Sequence, residues 1–130
     1  MFPARLALVI LAVADLPRAR AFYDAAFGWP AEVDVPVYVE YALPAGMRVG
    51  LYDRAGFARN TGEPPALPPP AGTTATELYL FPEDLSAAIE SVEAAGARAL
   101  SPRAPRHWGD EAAYFLDPDG NVLVLARPLT

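Results

Sequence analysis

The residue types that most often act as catalytic groups are sparse in this chain. It has no cysteine and a single histidine, His107, in a loop before the last predicted hairpin. Its three serines, Ser86, Ser91 and Ser101, have no histidine near them in the sequence. A serine nucleophile needs an adjacent base, and a lone loop histidine without a partner is more often exposed to solvent than a general base. The sequence therefore predicts no catalytic residue.

Sequence motifs for nucleotide binding, paired catalytic carboxylates and basic clusters are also missing. Asp110 and Glu111 form an acidic pair without a second group at catalytic spacing, and no phosphate loop or dinucleotide fingerprint is present. The net charge is −6 and all 10 basic residues are arginines, without a basic cluster. This charge distribution argues against a nucleic acid or an anionic membrane as partner. The lack of cysteine fits a cytoplasmic protein without disulfides or cysteine-bound metals.

The elements that position the remaining side chains follow a β-α-β-β-β order. The apolar run at residues 6–14 is too short to span a bilayer and predicts a buried strand. It leads directly into a helix start at Asp15, which argues against a cleaved secretory signal. Apolar residues at helical spacing then predict a helix that ends at Gly28. Three strands are predicted near residues 32–35, 37–43 and 47–53.

The same order restarts after a proline-rich connector. Residues 54–72 include prolines 64, 65, 68, 69 and 70 and predict a semi-extended linker. A strand at 73–81 and a helix from Asp84 to Gly96 follow, and then strands at 98–101, 111–116 and 121–126. We predict one domain with module one at residues 1–55, a linker at 56–72 and module two at 73–130.

The last hairpin has the clearest turn chemistry in the chain. Its Asp-Pro-Asp-Gly sequence at residues 117–120 separates two β-rich apolar runs. Pro118 fixes φ for a turn, and Gly120 accepts the positive φ that a bulged hairpin turn requires. A weaker copy, Pro-Ala-Gly at residues 44–46, lies at the corresponding place in the first half.

Two longer motifs lie at corresponding ends of the repeated units. The first is VADLPRARAFY at residues 13–23 with Phe-Gly-Trp at 27–29, and the second is Trp-Gly-Asp at 108–110 with YFLDPDGN at 114–121. Together they resemble the vicinal oxygen chelate superfamily, which includes glyoxalase I, the extradiol dioxygenases, and the fosfomycin and bleomycin resistance proteins. The resemblance spans both modules and leaves only the linker unmatched. It implies an α+β fold in which the mixed sheets of two βαβββ modules curl into a cup, with helices outside and ligand inside. It also implies a homodimer.

The resemblance also implies where a metal ion would bind. Metal-dependent members hold a divalent ion on His or Glu side chains from the first and last strands of each module. Counting along the motifs places these positions at Leu8, Gly50, Glu77 and Val124. Only Glu77 can ligate, and one carboxylate cannot hold a divalent ion against water. We therefore expect neither a metal nor another cofactor.

Strand alternation extends this register to the other side chains that would face the cup. Trp108 is included because the superfamily loop that contains it closes over the cup. The predicted ligand-binding residues are Arg48, Tyr52, Glu77, Tyr79, Trp108 and Tyr114. Aromatic walls with a few polar groups suit a small-molecule pocket.

Each of these residues also has a purely structural alternative. Arg48 and Glu77 would neutralise one another or face water. The tyrosines would be ordinary half-buried sheet residues or lie in a dimer interface. Trp108 would be a hydrophobic plug, and Gly50 would merely allow close packing.

The sequence thus favours a metal-free binding protein, similar in type to the bleomycin resistance proteins, that sequesters an antibiotic or metabolite. The ligand would be an aromatic or cationic small molecule, with Glu77 meeting its cationic group. An enzyme of the same superfamily, either a glyoxalase-like lyase or isomerase or a thiol-transferase, is the alternative. Tight stoichiometric binding of Mn²⁺, Ni²⁺ or Zn²⁺ would favour the enzyme. A module that binds only another protein, through a sheet edge or the proline linker, is a third hypothesis.

Overall fold

One strand order, used twice, underlies the fold. The structure is a computed structural model that describes residues Met1–Thr130. Its strands are β1 (Leu8–Val13), β2 (Ala31–Val35), β3 (Tyr38–Ala42), β4 (Arg48–Asp53), β5 (Glu77–Leu80), β6 (Arg98–Pro105), β7 (Asp110–Leu116) and β8 (Val122–Pro128). Its helices are α1 (Leu16–Phe27), α2 (Arg54–Thr61) and α3 (Leu85–Ala94), and a short 3₁₀ turn covers Pro44–Gly46. No helix is both long enough and apolar enough to cross a membrane.

Each half of the chain forms a four-stranded mixed sheet. The strand order is β1-β4-β3-β2 in the first sheet and β5-β8-β7-β6 in the second. In both sheets the first strand pairs in parallel with the last, and the other neighbours pair antiparallel. The predicted α+β fold with two βαβββ units is confirmed.

The chain divides into two compact units that differ slightly from its two halves. The first unit contains Met1–Arg20 and Trp29–Ala66, and the second contains Ala21–Gly28 and Leu67–Thr130. The C-terminal half of α1 therefore belongs to the second unit. The module limits derived from the sequence, 1–55 and 73–130 with a linker between them, stay a prediction.

Alternation along the strands separates a buried face from a polar one in the first sheet. Val49 and Leu51 of β4 are buried with Val39 of β3, whereas Arg48 and Tyr52 lie on the opposite face. In the second unit, the core combines one face of β7 and β8 with apolar residues of α1 and α3. Its buried members include Phe22, Tyr23, Ala26, Leu85, Val92, Phe115, Leu123 and Leu125.

The predicted semi-extended connector is wrong for its first eight residues, because Arg54–Thr61 forms α2. This segment contains no proline, and prolines begin again only at Pro64. Gly62 ends the helix in a left-handed conformation, with φ of 83° and its N–H bonded to the Ala58 carbonyl. Local helix propensity therefore prevails until the first proline of the connector.

The closing hairpin is held by the side chain of Asp117. Its Oδ1 accepts hydrogen bonds from the backbone N–H groups of Asp119 and Asn121, both at 2.9 Å. Its Oδ2 accepts one from the Tyr23 hydroxyl of α1 at 2.6 Å. Gly120 has φ of 83°, and the bulged turn is confirmed. These contacts assign Asp117 a structural role.

Candidate functional site

The face of the second sheet that lies opposite its helices carries most of the predicted binding residues. Its centre is an apolar floor formed by Ala112, Val122, Val124 and Ala126. Tyr79 of β5 and Tyr114 of β7 both pair with Val124 of β8 and so flank it on the same face. The predicted pairing of Tyr114 with Val124 is confirmed. Glu77 pairs with Val122 on the same face and is exposed.

The turn between β6 and β7 brings Trp108 to this face. The Trp108 indole N–H donates a hydrogen bond to the Tyr79 hydroxyl at 2.8 Å, although 48% of the Trp108 residue is exposed. The Tyr79 hydroxyl in turn donates to Asp110 Oδ2 at 2.5 Å. Partial burial and the nearby Asp110 carboxylate raise the pKa of Tyr79. Two exposed aromatic rings are thereby fixed beside the apolar floor.

Arg106, at the start of the same turn, lies over the Tyr114 ring. Its Cζ is 4.9 Å from the ring centroid, within the range of a cation–π interaction. Neither Arg106 nor Asp110 was assigned a site role from the sequence. Arg106 lies in the β6–β7 turn, and strand alternation gives no information about a turn residue. Asp110 is the first residue of β7 and shares the face of Tyr114 by alternation, but the predicted strand began one residue later.

The first sheet carries a separate polar and aromatic cluster. Arg48 Nη1 bonds to Glu40 Oε2 at 2.8 Å, and its Nη2 bonds to Glu32 Oε2 at 2.6 Å. The Tyr38 hydroxyl donates to Glu40 Oε1 at 2.7 Å. The rings of Tyr38 and Tyr52 are tilted, with centroids 4.9 Å apart. Arg48 thus binds carboxylates of its own sheet, and the predicted residues Arg48 and Tyr52 lie in one cluster.

Hydrogen bonding shifts the ionisation of two groups in this cluster. The Tyr38 hydroxyl and the Arg48 guanidinium together lower the pKa of Glu40. Partial burial, reinforced by the Glu40 carboxylate, raises the pKa of Tyr38. Glu40 is therefore ionised and Tyr38 protonated at neutral pH. The sequence contained a signal for both residues, because a hairpin around the Pro-Ala-Gly turn places Glu40 directly opposite Gly50.

The four positions implied as metal ligands do not form a donor set. Leu8 and the wholly buried Val124 offer no lone pair, and a Cβ at Gly50 would overlap the Tyr38 hydroxyl and lie 2.7 Å from its Cε1. No group of three or more His, Asp or Glu side chains in the chain could hold a metal ion. The residues present do not fit a divalent ion.

Two cavities lie away from the predicted binding residues. One of about 310 Å³ in the second unit is lined by the proline segment around Pro69 and by the closing turn around Pro118. One of about 400 Å³ in the first unit lies between the start of α1 and the β2–β3 connection, near Val35. On the second sheet, Trp108 and Tyr79 are exposed, whereas Ala112, Val124 and Ala126 beneath them are wholly buried.

Known proteins of one family share this sequence pattern and fold. Residues 5–125 match the model of the Glyoxalase/Bleomycin resistance protein/Dioxygenase superfamily. The chain is 22% identical to a glyoxalase-related enzyme from Fulvimarina pelagi, with a TM-score of 0.80 over 94% of this chain and 86% of that one. It is 23% identical to a glyoxalase/bleomycin resistance protein/dioxygenase from Nocardioides, with a TM-score of 0.81 over 99% of this chain and 86% of that one.

A third solved structure is a glyoxalase/bleomycin resistance protein/dioxygenase family enzyme from Burkholderia phytofirmans PsJN. It is 19% identical, with a TM-score of 0.74 over 95% of this chain and 98% of that one. At these identities the structures establish a common fold and no common substrate. No curated protein matches the chain.

Proposed function

Because the chain belongs to the Glyoxalase/Bleomycin resistance protein/Dioxygenase superfamily, we propose that it binds a small aromatic molecule without a metal ion. The observation that carries this proposal is the pair of exposed rings, Trp108 and Tyr79, joined by a hydrogen bond. Flat rings held in place can stack on a flat ligand with little loss of side-chain entropy.

The residue types at the implied ligand positions support the metal-free part of the proposal. Leu8 and Val124 are aliphatic, and the space at Gly50 is taken by the Tyr38 ring. Binding in this form would serve sequestration of an antibiotic or a metabolite. We extend the proposal to a homodimer, as the resemblance to the superfamily implies, and to a cytoplasmic location, with which the lack of cysteine is consistent. The cationic ligand group that the sequence predicted opposite Glu77 also stays a prediction.

Native mass spectrometry of protein purified without added metal tests the proposal. We expect the mass of a dimer with a bound organic molecule and no divalent ion. Denatured protein gives the mass of the released compound, which can then be titrated back. A stoichiometric divalent ion that survives buffer exchange would contradict the metal-free proposal.

A mutation tests whether the exposed rings form the binding surface. Trp108→Ala should weaken binding of the released compound at least about fivefold, because base- or ring-sized stacking contacts contribute about 1–3 kcal/mol each. Its thermal unfolding should stay close to wild type, because Trp108 is half exposed. Phe2→Ala is the matched control, because Phe2 is 99% exposed at the N-terminus. Unchanged binding in Trp108→Ala would show that the compound binds elsewhere.

A further inference from the structure

Arg106 is held over the second sheet by uncharged acceptors alone. Its Nη2 donates to the Pro102 carbonyl at 2.7 Å, the Ala112 carbonyl at 3.0 Å and the Ser101 hydroxyl at 3.1 Å. The guanidinium also lies over the ring of Tyr114. These contacts fix its position and orientation, but none of them neutralises its charge.

Two features of this guanidinium are unsatisfied. No carboxylate lies within 4.0 Å of Arg106, whereas Arg103 and Arg127 of the same sheet both form ion pairs with Glu111. The Nε of Arg106 is buried and has no hydrogen-bond acceptor. Buried polar groups in folded proteins nearly always have partners. The guanidinium as a whole is partly exposed and has no anionic partner on its own sheet.

Resting on the small-molecule binding proposed above, we infer that Arg106 anchors the acidic group of a small organic acid. A carboxylate can accept a charge-assisted hydrogen bond from Nη1, because the three protein acceptors of this guanidinium all lie on Nη2. Tyr114 and the apolar floor lie directly beneath, and Trp108 is two residues away in the same turn. The ligand class is therefore an aromatic or apolar acid whose charged end meets Arg106.

The acidic residues nearby do not provide the missing charge. Asp110 already accepts the hydrogen bond from Tyr79. Glu77 is exposed, so water solvates its carboxylate, and it does not require a cationic ligand. The unsatisfied group on this face is thus a cation, which favours an anionic ligand over a cationic one.

The test compares matched acids and neutral compounds on the intact protein. Benzoate and benzamide form one pair, 1-naphthoate and 1-naphthamide a second, and benzylamine represents the cationic class. Dissociation constants are measured by ligand-observed NMR. We expect each acid to bind at least ten times more tightly than its amide, and benzylamine to bind more weakly than benzamide.

Two variants assign the effect to Arg106. Arg106→Gln should abolish the difference between acid and amide, and Arg106→Lys, which keeps the charge but not the planar fork, should retain part of it. Arg98→Gln is the matched control, because Arg98 is an exposed arginine at the start of β6 without an ion pair, and it should behave as wild type.

The outcomes separate this inference from the proposal on which it rests. Equal binding of acids and amides to the wild-type protein, or preference for benzylamine, would overturn the inference and leave small-molecule binding intact. A preference for acids that survives in Arg106→Gln would place the anion elsewhere and overturn it too. If no compound binds and native mass spectrometry shows no adduct, both proposals fail.

Discussion

Gly50 illustrates how one residue can be fixed by its neighbour on the next strand. The ring of Tyr38 lies across β4 at the point where a side chain at position 50 would project. Tyr38 occupies that volume to donate its hydrogen bond to Glu40. A glycine in the interior of a strand usually weakens it, so its presence here is explained by this close approach.

Gly50→Ala should therefore destabilise the protein by about 1–3 kcal/mol, the usual cost of overpacking a filled site. The measurement is the free energy of unfolding in urea. The same substitution in a Tyr38→Ala background should cost less than about 0.5 kcal/mol, because the ring that would clash is gone. Equal costs in the two backgrounds would show that Tyr38 does not set the constraint.

Glu40 gives this cluster a definite dependence on pH. Its hydrogen bonds to Tyr38 and Arg48 hold its pKa below the ordinary value of 4.5. A depressed carboxyl pKa in the folded state adds stability at higher pH, and that stability is lost as the pH falls through the folded-state value. Glu40→Gln should thus lower stability at pH 7 and reduce the further loss between about pH 6 and about pH 3.

Urea unfolding at a series of pH values measures this effect. Glu90→Gln provides the control, because Glu90 is an exposed helix residue without an ion pair. The free energy of unfolding of the control should decrease at acidic pH as steeply as that of the wild type. An equally steep loss of stability in Glu40→Gln would contradict the role assigned to its hydrogen bonds.

At the scale of elements, the closing turn does more than reverse the chain. The same Asp117 carboxylate that orders the turn also accepts a hydrogen bond from the buried hydroxyl of Tyr23. Helix α1 is thereby attached to the β7–β8 hairpin inside the second unit. The Asp-Pro-Asp-Gly-Asn sequence therefore acts as a docking point for a helix as well as a turn.

Tyr23→Phe removes this attachment without changing the packing of the ring. Loss of a buried hydrogen bond to a charged acceptor should lower the free energy of unfolding by about 1.5–3 kcal/mol. Tyr52→Phe is the matched control, since its hydroxyl accepts only from the exposed Asn60 amide at 3.2 Å, and it should cost less than about 0.5 kcal/mol. Chemical denaturation followed by far-UV circular dichroism measures both. A loss in Tyr23→Phe no larger than in the control would show that the bond adds little.

The strands and two of the helices were predictable because their signals are local. Asp84 caps α3 through a hydrogen bond from the Ala87 N–H at 3.0 Å, as its sequence position indicates. Helix α2 was missed because prolines at 64–70 dominated the interpretation of the whole connector. Residues Arg54–Thr61 contain no proline, and their own helix propensity determines their structure.

At the scale of the whole molecule, doubling of one strand order made the fold predictable. Each sheet repeats the parallel pairing of its first and last strands, so the register of one half predicts that of the other. The proposed binding residues were less predictable. Tyr79 and Tyr114 followed from alternation, whereas Arg106 lies in a turn whose path depends on hydrogen bonds distant in sequence, from Trp108 to Tyr79 and from Leu129 to Gly109.

The net charge of −6 also bears on the choice of ligand. An acidic protein repels small anions at long range, so an organic acid must be held by a local cation in a poorly solvated position. The Arg106 guanidinium over Tyr114 has this character, because its Nε is shielded from water. In this proposal, the overall charge affects how often a small anion approaches the protein, and the contacts at Arg106 determine which ligand binds.

The phenol above Gly50 also limits the order in which this sequence can evolve. A histidine or glutamate at position 50 would overlap the Tyr38 ring, so that ring would have to move or be replaced. Either change would leave Glu40 without one of its hydrogen bonds. The close packing of β3 against β4 therefore means that a metal ligand at position 50 requires a change at Tyr38 as well. That change alone creates no metal site.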